Sequence, residues 1–181
     1  MPERDTRLES SLILVVPEAE PAVGAHRAQH DLAARVGVPA HITVAYPFKP
    51  AADLDTDDLN RLRTLFAACP GFLVELATTG WFGTDVLFLD PRDAAPIVRL
   101  TRQVEAAFSD YPIYGGAFED IHPHLTIAHD CGAEVLQCIE RAVRPSLPIT
   151  HRAAAIELWS GPALATRQAG WHVVDRFPLG A

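Results

Sequence analysis

The sequence predicts a two-lobed fold of mixed helices and strands with a cleft between its halves. Three observations predict it. Short apolar or alternating runs that end at proline are interleaved with amphipathic stretches of helical period, the order of these elements repeats in the second half, and the pattern His-x-Thr stands at the same place in both copies. A chain of 181 residues, 49% hydrophobic and 21% charged, buries roughly two-thirds of the surface its unfolded form exposes. That suffices for a core without metal or disulfide staples. No long linker separates the halves, since the proline-rich stretch 145–148 reads as a loop. Residues 1–181 are therefore expected to form one domain, with lobes near 11–90 and 91–178 and exchange of strands between them left open.

The elements follow in order. Residues 11–16, SLILVV, form an apolar run stopped by Pro17, as in a buried strand. Residues 22–36 carry a helical pattern with Gly37 behind it as a stop. Residues 41–46, HITVAY, alternate, are β-branched and end at Pro47, which predicts a strand. From 53 to 66, apolar positions 54, 59, 62, 65 and 66 follow acids in the first turn, which suits a helix and its dipole. Residues 72–77 and 85–90 read as a hairpin around Thr79-Gly-Trp-Phe-Gly83. A helix at 94–108, a strand at 122–129, a helix at 133–144 and strands at 154–159 and 171–177 complete the second copy.

Composition narrows the function classes. Formal net charge is −8, with Lys49 the only lysine, so no general cationic field exists to hold a long polyanion by counterion release. Binding of long duplex nucleic acid is not expected. No apolar run approaches the ~20 residues of a membrane span, and the start, MPERD, is polar and acidic. The expected location is the cytoplasm, with no membrane partner, and a monomer is expected. Cys69, Cys131 and Cys138 are odd in number and lack close pairing, so they read as small hydrophobes.

The chemistry lies in His41-Ile42-Thr43 and His124-Leu125-Thr126, 83 residues apart. Side chains at i and i+2 of a strand share a face, so each histidine looks the same way as its threonine, and Ile42, Val44, Leu125 and Ile127 look toward the core. Two imidazoles and two hydroxyls meeting across a cleft suit a phosphodiester. Imidazole titrates near neutrality, so one ring can accept a proton while the other donates one, and hydroxyls can hold the non-bridging oxygens. No metal or other cofactor is required by this scheme. His122, His124 and His129 do not form a metal set, because alternation places 129 on the opposite face from 122 and 124. Aromatics near the motifs, Tyr46, Phe48, Trp81, Phe82, Tyr114 and Phe118, are candidates for stacking on a base, with Phe48 and Tyr114 preferred. Arg167, in the loop before the last strand, is a candidate phosphate or ribose contact. Two other classes compete: a module that binds a nucleotide or RNA end without turnover, and a metal-dependent hydrolase.

HITVAYPF at 41–48, Gly80-Trp-Phe82 with VLFL at 86–89, YGGAF at 114–118 and PHLTIA at 123–128 resemble the two-histidine (2H) phosphoesterase superfamily. The match is to its bacterial 2′-5′ RNA ligase-like, or RNA 2′,3′-cyclic phosphodiesterase, branch and spans about residues 11–178. The resemblance implies an α+β, bilobal, pseudo-two-fold fold of two mainly antiparallel sheets flanked by helices. It implies metal-independent hydrolysis or transfer at 2′,3′-cyclic phosphates or 2′-5′ linkages of RNA ends or small nucleotides. His41 and His124 would then be the acid-base pair, and Thr43 and Thr126 the phosphate-binding hydroxyls. Val44 and Ile127 stand where leucine is common in the family, and Ala40 where a second proline is common.

Overall fold

The computed structural model describes residues 8–112 and 120–181. Chain order is β1 (Leu8–Val15), α1 (Glu20–His30), α2 (Leu32–Arg35), β2 (His41–Ala45), α3 (Thr56–Ala67), β3 (Phe72–Phe82), β4 (Val86–Pro91), α4 (Ala95–Ala107), β5 (Leu125–His129), α5 (Ala133–Val143), β6 (Ile149–Ala153), β7 (Ala155–Pro162) and β8 (His172–Pro178). The fold is α+β. Two four-stranded sheets run β2-β1-β7-β8 and β5-β4-β3-β6, and every ladder in them is antiparallel.

These sheets do not divide the chain at 90/91. β7 and β8, from the C-terminal end, complete the sheet that β1 and β2 begin, while β3 and β4 pair with β5 and β6. The helices interlock as well, because α3 and α4 pack toward strands of the first sheet, at β8 and β2, and α1 and α5 toward the second, at β5 and β4. A contiguous division would leave Leu12 and Ile13 without their partners Leu158 and Glu157 on β7, and extended backbone must be paired.

Each helix forms for local reasons and turns one stripe inward. α3 starts with a capping box in which Asp55 and Asp58 satisfy each other's backbone N–H. α4 buries Ile97, Leu100 and Val104 and α5 buries Leu136, Ile139 and Val143, both at i, i+3 and i+7. These stripes join Ile42 and Val44 of β2 and Leu125 and Ile127 of β5 in one core cluster that spans both sheets. Ile13, Val36, Val38, Trp159 and Trp171 make a second, smaller cluster.

Three expectations are corrected here. The helix expected at 22–36 is two helices, because Asp31 is extended at φ −123°, ψ 121° and its side chain caps α2 by accepting from Ala33 N. β6 has no counterpart in the sequence reading: residues 149–153, ITHRA, are short and half polar, and they become a strand by pairing with β3. The second motif strand starts at Leu125, so His124 lies one residue before it.

Candidate active site

β2 and β5 are edge strands of different sheets, and they face each other across the cleft. His41 and Thr43 on β2, with His124 and Thr126 at β5, point into it, half-buried. Ile42, Val44, Leu125 and Ile127 are almost fully buried behind them, as period-two alternation requires. The cleft has two compartments that meet at the threonines. The smaller, about 160 Å³, is lined by His41, Thr43 and Thr126 with Tyr46, Trp159 and Trp171. The larger, about 600 Å³, is lined by Thr43, Thr126 and His124 with Phe82, His122 and His129.

Both motif histidines are held in the same way. His41 Nδ1 lies 2.7 Å from the Pro39 carbonyl and His124 Nδ1 lies 2.7 Å from the His122 carbonyl, in each case two residues upstream. A carbonyl only accepts, so Nδ1 is the donor and carries hydrogen in both protonation states. Nε2 is left for chemistry, as an acceptor when the ring is neutral and a donor when it is cationic. Burial, helped by the Arg27 guanidinium, pushes His41 down to about 4 from 6.5. Burial also lowers His124. Both rings are therefore neutral near pH 7 in the unliganded protein.

A bulge follows each threonine. Across β1 and β2 the register passes from Thr43 to Ala45, and across β4 and β5 from Thr126 to Ala128. Val44 with Ala45, and Ile127 with Ala128, are consecutive buried residues. The extra residue reverses the alternation, so Tyr46 and His129 return to the cleft at equivalent positions. The expectation that His129 faces away from His122 and His124 is corrected by this bulge, since all three line the larger compartment. Among the described residues, no cluster of three or more His, Cys, Asp or Glu side chains is placed to hold a metal ion.

His129 also ties the two halves together. Its Nε2 accepts from Leu32 N at 3.1 Å while Nδ1 donates to Asp130 Oδ2 at 2.8 Å, and Nε2 lies 3.7 Å from Asp31 Oδ1. The carboxylates of Asp31 and Asp130 raise its ionisation. On protonation Nε2 can no longer accept from Leu32 N and pairs with Asp31 instead. Asp31, buried and lining both compartments, is a site residue that the sequence did not reveal.

Other expected contacts fall differently. Phe48 is in the core, 4% exposed and edge-on to Phe108 at 5.0 Å between ring centres, so it does not reach the cleft. The strand ends at Ala45 and the chain turns inward after it. Arg167 is exposed at a left-handed turn position, φ 55°, and lines neither compartment; Leu164, three residues earlier, does. Tyr114 and Phe118 lie outside the described residues. Phe82 is at the cleft, 39% exposed, with its ring 4.3 Å from Phe88 and edge-on to His124 at 4.8 Å. Gly80 makes room for this stack, since a Cβ there would stand 2.4 Å from the Phe88 ring. Among the described residues no helix is long and apolar enough to cross a membrane.

The fold is shared with solved structures. Escherichia coli LigT complexed with 3′-AMP is 20% identical over 97% of this chain and 99% of its own, with TM-score 0.59. TT0787 of Thermus thermophilus is 18% identical over 96% and 97%, with TM-score 0.61. A structure described as a phosphoesterase is 17% identical over 97% and 99%, with TM-score 0.59. No curated protein matches the chain in sequence. The model of the 2′-5′ RNA ligase superfamily matches residues 15–162, which include both His-x-Thr strands and all of the second sheet, and the chain belongs to that superfamily.

Proposed function

We propose that this protein is a metal-independent phosphodiesterase that opens 2′,3′-cyclic phosphates of RNA ends or small nucleotides. The observation that carries the reading is the duplicated constellation: two imidazoles, each with Nδ1 bonded to the carbonyl two residues upstream, and two hydroxyls where the compartments join. A phosphate seated at Thr43 and Thr126 would have a free Nε2 on either side. That arrangement suits in-line displacement, in which attacking and leaving oxygens lie on opposite faces of phosphorus.

In the forward reaction one neutral Nε2 takes a proton from water as the water oxygen bonds to phosphorus. The bond from phosphorus to one ribose oxygen breaks, and the other imidazolium gives its proton to that oxygen. A nucleoside phosphomonoester results. Thr43 and Thr126 donate to the non-bridging oxygens as charge builds on them. The substrate's own negative charge favours the proton that the acid must carry, because an anion beside a neutral ring raises its affinity for a proton. With a 5′-hydroxyl in place of water as nucleophile and the 3′-oxygen as leaving group, the same groups would form a 2′-5′ linkage.

The larger compartment is of a size that takes small organic ligands. LigT, which shares this fold, has been crystallised with 3′-AMP, with ATP and with NADP+, and this agrees with a nucleotide-sized occupant here. The test is turnover of the four nucleoside 2′,3′-cyclic monophosphates in excess chelator, with the product isomer identified. Hydrolysis that persists in chelator supports the reading. Failure on these and on short RNAs ending in a cyclic phosphate, with binding retained, would turn it into a nucleotide-binding module.

A further inference from the structure

We propose that Arg27 is a positioning residue of this site: from the last turn of α1, its guanidinium clamps the turn whose Pro39 carbonyl orients His41. The inference deepens the proposed function and rests on it for the importance of His41, while the clamp itself is read from packing alone. Arg27 is 2% exposed, on the last turn of α1. Its Nε and Nη2 both donate to Asp31 Oδ2, at 3.0 and 2.7 Å, and Nη2 lies 3.4 Å from the Val38 carbonyl. Nη1 is 3.7 Å from Glu20 Oε1, and that same oxygen accepts from Ala40 N at 2.6 Å. The residues on both sides of Pro39 are thus fixed by one buried cation and its carboxylate partners.

A buried charge is costly unless it is paired and fully bonded, so a side chain kept in this place does more than fill space. An apolar residue would fill the same volume without desolvation cost, yet could not reach a carbonyl and two carboxylates at once. Only the planar fork of arginine offers that set of donors. The clamp has an electrostatic side too. The charged and titratable groups acting on His41 are Arg27 and Asp31 from the α1–α2 corner and His124 from the opposite sheet. Of these, Asp31 favours the imidazolium, whereas Arg27 and His124 oppose it. Arg27 therefore holds the Nδ1–H tautomer through Pro39 and helps keep Nε2 free of its proton until an anionic substrate arrives.

The test reads the imidazole directly, independently of turnover. In the 181-residue protein with isotope-labelled histidine, the His41 ring signals are assigned by their loss in His41→Ala and followed by NMR from neutral pH to about 3. Wild type is expected to stay neutral as the Nδ1–H tautomer down to about pH 5 and to titrate near 4. Arg27→Met should raise the His41 midpoint by about one pH unit or more and mix the tautomers, whereas Arg27→Lys, which keeps the charge and not the fork, should mix the tautomers with a smaller rise. Asp31→Asn should move the midpoint the other way, to more acid pH. An unmoved His41 in folded Arg27→Met would overturn the proposal. So would an upward shift in Asp31→Asn, which marks general loosening, and this variant decides the matter if Arg27→Met does not fold. A wild type inert toward cyclic nucleotides would sink the proposed function and leave this result standing.

Discussion

Among the described residues, Nδ1 of each motif histidine bonds a carbonyl, so the proposed proton transfer falls to the two Nε2 atoms. His41→Ala and His124→Ala are each expected to lower kcat/KM on cyclic nucleotides by roughly 10²–10⁴-fold, the usual worth of a general acid or base, with far-UV circular dichroism unchanged. His41 also sets a pH dependence of stability. Its pKa is about 4 in the folded protein against 6.5 ordinarily, so between those values the unfolded chain binds a proton that the folded one does not. Stability should therefore fall as pH drops from 6.5 toward 4. In urea melts across that range, His41→Ala should lose less stability on acidification than wild type. Much of this scale is legible in the sequence, because His-x-Thr on a β-branched strand fixes which face each side chain takes. Arg27 with Asp31 is not legible, since an i, i+4 pair of opposite charge reads as an ordinary solvated helix pair until the fold buries it.

Strands and helices carry the next scale. Gly80 lets the Phe88 ring lie against β3, and from there Phe88 packs 5.2 Å from the His124 ring. Gly80→Ala should force that ring aside, costing about 1–3 kcal/mol by overpacking and lowering kcat/KM through His124. Asp55→Ala, which breaks the α3 capping box far from the cleft, should cost about 0.5–2 kcal/mol and leave kcat/KM unchanged. Thermal melts beside steady-state rates for the two variants separate the effects. Element type was readable from local period and turn chemistry. The bulges after Thr43 and Thr126 were not, because register belongs to the partner strand, and so Tyr46 and His129 emerge as cleft residues only in the folded chain.

For the whole molecule, the repeat in the sequence gives two equivalent motif strands but says nothing of which strands sit beside them. β7 and β8 close the first sheet from the far end of the chain, and helices from each half cover the sheet of the other. With one core cluster spanning both sheets, the chain should unfold in one step. Far-UV circular dichroism, which sees both sheets, and fluorescence of Trp159 and Trp171, which sit in the smaller cluster of the first sheet, should give coincident midpoints in a Trp81→Phe background. Separate midpoints would show that the sheets melt independently.

If His41 and His124 act together on one phosphate, removing either should disable the pair. The most direct measurement is kcat/KM on a nucleoside 2′,3′-cyclic monophosphate, in chelator, for His41→Ala, His124→Ala and the double variant. Residues that act as a unit are strongly non-additive. Each single substitution is expected to remove nearly all of the rate, and the double to lose little more. Losses that multiply, or a single variant that keeps wild-type activity, would contradict joint action of the pair.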